Sequence, residues 1–280
     1  MSLPANPTLL DIRNEIDRLD AQMHSLLMER GQVIETLISV KKTGQSGSAF
    51  RPAREAEVLR KLVERHQGLL PLDTVESIWR VIISTFTYVQ APHAVHADIT
   101  GDAAAIRDSA RFHFGFTVPF ITHASAAAVI ASVDQSKGDL GIFRLDQSAE
   151  AGPWWRMLEG ANKPKIIARL PFVDRPDHPA GLPVFVISKP LAEAAVREVV
   201  IASITVERWK SSTPDKLAQL GMKVVMAGGT HDALAVLTAH PETLTAPFIK
   251  ATLADLGCGL VRYEEIGGHT TPFSATALKL

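Results

Sequence analysis

Between Pro7 and about Lys42 the apolar residues Leu9, Ile12, Ile16, Leu19, Met23, Leu26, Leu27, Val33, Ile34, Leu37 and Ile38 recur at three and four, the spacing of one helix face. At ~1.5 Å per residue such a helix is ~50 Å long, more than a small monomeric domain covers along its length. A partner chain is implied. The stripe also carries Arg30 and Lys41, which at about 100° per residue return to within roughly 20° of one face, whereas Arg13 points about 100° away from Arg30. If the helix pairs with a copy of itself, Arg13 serves the partner's pocket.

Two further helices follow the Gly/Ser loop "TGQSGS". "PAREAEVLRKLVERHQG" has Pro52 near its start and Gly68 near its stop, and "DTVESIWRVIISTFTYVQ" offers Asp73 as cap with Glu76 in a capping-box variant. The first sets Arg54 and Glu55 at the head of an apolar row; the second sets Gln90 four after Phe86 on an apolar face. Burying several cations unpaired costs several kcal/mol each, so a shared anionic occupant is the physical solution if they converge. A small, apolar-bodied ligand with two or more carboxylates suits such a pocket.

The series "LLDIRNEIDRLDAQMHSLLMERGQVIETLISVKK … RPAREAEVLRKL … WRVIISTFTYVQ" resembles the all-helical, type II chorismate mutases over residues 7 to 91. The resemblance implies a domain-entwined helical homodimer that converts chorismate to prephenate. Arg30 and Arg54 would bind substrate carboxylates, with Arg13 arriving from the other subunit. Lys41 and Gln90 would hydrogen-bond the ether oxygen, and Glu55 would meet the ring hydroxyl. Phe86 stands where many relatives carry Ser, and Arg51 where some carry Asp. A pericyclic rearrangement needs no cofactor or metal, only a held conformer and stabilisation of charge on the ether oxygen. Isochorismate pyruvate lyase on the same scaffold, or a catalytically weak sensor of aromatic metabolites, are the alternatives.

Downstream the texture becomes mixed α/β. "FTVPFIT", "DLGIFRL", "KIIARLPF" and "LPVFVIS" read as strands, with a helix in "ASAAAVIASVDQSKG". The Ala-rich stretch from 96 to 111 reads as a linker, and "HAVH" (93 to 96) as part of it rather than a metal site. The region 112–195 resembles one lobe of a prephenate dehydratase without its Asn-x-Thr-Arg-Phe signature, so no dehydratase activity is expected. Residues 196–280 give a β-α-β-β-α-β order, the ferredoxin-like pattern. It resembles an ACT domain, which implies a possible amino-acid effector near "GGTHD" or "LGCGLVRYEEIGG", although Gly228-Gly229 also reads as a plain hairpin turn. The expected architecture is therefore multidomain, α plus α/β: a three-helix domain at 1–95, a linker at 96–111, an α/β region at 112–195 and a ferredoxin-like domain at 196–280.

Composition excludes some roles. A formal net charge of -1 gives no field that attracts nucleic acid. Cys258 is the only cysteine, which rules out an intrachain disulfide and fits a reducing compartment. No apolar run approaches the roughly 20 residues of a membrane span, and "MSLPANPTLLDIRNEIDRLD" lacks the pattern of a signal peptide. A cytoplasmic protein is expected.

Overall fold

The computed structural model describes residues 6–41, 48–145, 152–174, 178–190, 197–230 and 233–274. The chain forms two compact units, Met1–Gln45 and Ser46–Leu280. The first is the helix α1 (Leu9–Lys41). Thr8 and Asp11 start it reciprocally: the Asp11 carboxylate accepts from the Thr8 backbone N–H at 2.9 Å, and the Thr8 hydroxyl accepts from the Asp11 N–H at 3.2 Å. Much of its apolar stripe is exposed, with Leu9 at 64%, Leu26 at 63% and Val33 at 63%.

In the second unit, α2 (Pro52–Arg65) and α3 (Leu72–Gln90) precede β1 (Val95–Asp98), α4 (Ala103–Phe114), β2 (Phe120–His123), α5 (Ala126–Gln135) and β3 (Leu140–Arg144). A short 3-10 turn, Trp154–Leu158, leads to β4 (Lys165–Leu170), β5 (Val173–Asp174) and β6 (Val184–Ser188). Then come β7 (Val199–Val206), α6 (Thr213–Gln219), β8 (Lys223–Thr230), β9 (Ala233–Pro241), α7 (Ala246–Asp255), β10 (Leu260–His269) and β11 (Phe273–Ser274).

Three sequence expectations are corrected. The stretch expected as a linker is β1 and α4. Asp102 caps α4 by accepting from the Ala105 N–H, and Gly115 ends it at φ 70°, so the Ala-rich segment holds a complete helix with its start and stop signals. Asp73 lies inside α3, whose cap residue is Pro71 without a side-chain cap. Gly228 and Gly229 belong to β8, where they pair with Ala235 and Leu234; positions 231 and 232 lie outside the described residues.

Among the described residues one sheet of nine strands runs in the order β2-β1-β3-β6-β4-β10-β7-β9-β8. β1 is parallel to β2 and β3, whereas β7 to β10 pair antiparallel throughout. The two halves meet where β10 lies parallel to β4 at Gly267 and Ile166. Phe50, Leu59, Leu62 and Val75 share one apolar core with Ile106, Phe114, Ala97 and Ile142, so α2 and α3 are built into the same body as the first strands. A second core gathers Trp154 and Trp155 with Val129, Phe185 and Ile201, and a third lies under α6 and α7.

Candidate active site

α1 positions Arg13 and Arg30 along one rod, with Lys41 its last residue. Arg30 is partly buried, and that burial lowers its guanidinium from the usual range.

α2 presents Arg54 and Glu55 about 100° apart, as neighbouring helix positions are, so that one reaches solvent and the other the core. Arg54 is exposed, its Nη1 2.6 Å from Glu57 Oε2. Glu57 also takes Lys61 at 2.6 Å, and the two cations hold its carboxyl down to about 2. Glu55 faces inward and is 5% exposed. Its Oε2 receives Arg80 Nη1 at 2.6 Å across to α3. Arg80 is fully buried; its Nε and Nη2 donate to the His113 carbonyl at 3.1 and 2.6 Å. Burial pushes the Glu55 carboxyl up, and the Arg80 charge opposes it. Gln90 closes α3, with Nε2 donating to the Phe86 carbonyl at 3.1 Å.

Of the six expected site residues, three therefore lie on α1 and three on the second unit, where Glu55 is engaged by Arg80. Sequence reasoning missed Arg80, although an Arg inside the apolar run "SIWRVIIS" was a visible sign of a buried ion pair. It also missed a trio built on β1. His96 Nδ1 lies 2.9 Å from His123 Nε2, and His96 Nε2 lies 3.1 Å from Asp139 Oδ2. "HAVH" is thus partly strand, and its second His is held between β2 and Asp139, the residue just before β3. Among the described residues no group of three His, Cys, Asp or Glu could hold a metal ion. Cys258 is a buried thiol whose pKa burial raises. No described helix is long and apolar enough to cross a membrane.

Comparison with known proteins bears on the N-terminal segment. Residues 12–91 match the family model described as chorismate mutase type II, so the N-terminal segment is a domain of that isomerase family. The bifunctional chorismate mutase/prephenate dehydratase of Neisseria gonorrhoeae is 27% identical over 150 residues, 54% of this chain and 40% of that protein. That of Aquifex aeolicus is 25% identical over 146 residues, 51% of this chain and 40% of its own length. The chain thus spans well under half the length of these relatives. Among solved structures, prephenate dehydratase from Streptococcus mutans overlaps 63% of this chain and 97% of its own at 11% identity, with a TM-score of 0.39.

Proposed function

We propose that the chain is a chorismate mutase, rearranging chorismate to prephenate in aromatic amino acid synthesis. The observation that carries this is the family match over residues 12–91, the segment that holds every expected site residue. On this reading Arg30 and Arg54 bind the substrate carboxylates, and Arg13 completes the site of a second copy. Lys41 and Gln90 donate to the ether oxygen as charge grows on it, an effect worth ~3 kcal/mol per donor when preorganised. Glu55 meets the ring hydroxyl only by exchanging Arg80 for substrate. The exposed apolar stripe of α1 supports a homodimer, since a surface of that extent is otherwise an aggregation hazard. The remainder of the chain is structural or regulatory and lacks dehydratase activity, and the setting is the cytoplasm.

The test is a chorismate-consumption assay on purified protein that follows prephenate directly. Prephenate should accumulate stoichiometrically, and Lys41→Ala should lower turnover by about a hundredfold or more while the protein stays folded. Chorismate loss without prephenate, no loss at all, or unaltered turnover in Lys41→Ala would overturn the assignment. Phenylpyruvate formed at neutral pH would overturn the absence of dehydratase activity.

A further inference from the structure

The second unit contains a cavity of about 540 Å³ that none of the expected site residues line. It opens on one face of the sheet. Along β7, Ile204 and Val206 turn to α6 and α7, so Val199 and Ile201, on the alternate positions, face the other way and line the cavity with Phe185 and Val225. Into this apolar surface the fold inserts a cation. β4 shifts register against β6 between Ile166 and Ala168, after which Arg169 stands opposite Phe185. Residues directly opposite share a face, so the irregularity delivers the guanidinium to the apolar side.

Arg169 has no ion pair among the described residues, and its Nε is buried without a hydrogen-bond partner. Lys223 lines the same cavity and is likewise unpaired among the described residues. Glu198 supplies the opposing charge, but its carboxylate already accepts from the Thr271 backbone N–H at 2.8 Å. His269 adds no charge near neutrality, because burial lowers its pKa to about 4. Among the described residues, two cations against one carboxylate leave room for a single added negative charge, and the apolar walls would strip the hydration of a polyanion at a cost. Cavities of this size commonly hold small organic molecules.

We propose that this cavity binds a small carboxylate with an apolar body, the carboxylate on Arg169 with Lys223 as second cation and the body against Phe185, Val199, Ile201 and Val225. A carboxylate taken side-on by Nε and one Nη would satisfy the orphaned donor. The ligand could be an amino acid or the corresponding acid without an amine; the carboxylate on an apolar body is common to both.

The test is calorimetric titration of the full chain, with no turnover involved, so its outcome is separate from that of the mutase assay. The probes are 3-phenylpropionate, phenylalanine, phenethylamine and inorganic phosphate. One or both acids should bind; which one does so identifies the source. Arg169→Met should weaken that binding about tenfold or more, and Val225→Trp, which fills the cavity, should abolish it. If Arg169→Met does not fold, Lys223→Met, at an exposed site, should still weaken binding by several fold. The proposal is overturned if neither acid binds, if the amine or phosphate binds as tightly as the acids, or if binding survives undiminished in the folded variants.

Discussion

Glu55 and Arg80 form a buried ion pair whose two members depend on each other more than the fold depends on the pair. Taking away one partner leaves a charge in the core, which typically costs 3–5 kcal/mol, whereas removing both costs far less. Arg80→Met should therefore lower unfolding free energy by about 3–5 kcal/mol in urea titrations, and adding Glu55→Gln should recover a good part of it. A double variant no better than the single one would show that the His113 carbonyl, which also loses its donor, dominates. His269 makes a second prediction at this scale. Its folded pKa near 4 lies below the usual 6.5, so the unfolded chain binds the proton first as pH falls. Stability should be full above about 6.5 and decline toward pH 4, by about 3 kcal/mol from this group. Equilibrium unfolding of His269→Asn across that range should show a shallower decline than the parent. His269 drew no attention in the sequence, because nothing in its neighbours marks it as buried, whereas Arg80 at least stands inside an apolar run.

At the scale of elements, what could be read from the sequence depended on how each element meets water. α1, α2 and α3 each pair an apolar stripe with a polar face, and the sequence displays that contrast. β1 does not: all four residues of "VHAD" are buried, with His96 in the trio and Asp98 accepting from Thr100, so buried polar groups mimicked a loop. α4 went unread although Ile106, Ala110 and Phe114 stand at i, i+4 and i+8, since alanines diluted the stripe. The six site residues were legible in type and order, but the inward turn of Glu55 toward Arg80 was not, because it depends on a contact 25 residues away. α1 carries the prediction of this scale. If a second copy covers its stripe, Leu26→Glu places a charge in that interface and should shift the protein from dimer toward monomer in light scattering. A dimer unchanged at micromolar concentration would remove α1 from the interface.

The sheet makes one body of two halves that the sequence presents as separate units, an α/β region and a β-α-β-β-α-β series. They join along β4 and β10, and the join requires Gly267. It adopts φ 139°, and a Cβ there would overlap the Ile166 backbone, so the strand pair can close only without a side chain. Gly257 is the natural comparison: φ is 69° and nothing lies within 4 Å of a built Cβ, so alanine there meets only the left-handed backbone cost of about 1 kcal/mol. Gly267→Ala must add displacement of β4 from β10 to a similar cost. We expect Gly257→Ala to lower Tm by a few degrees and Gly267→Ala to lower it by about 10 °C or more. If the join is what makes the halves cooperative, the second variant should also split a single calorimetric transition into two. Equal effects of the two substitutions would mean that the contact between β4 and β10 contributes little, and that each half of the sheet stands on its own core.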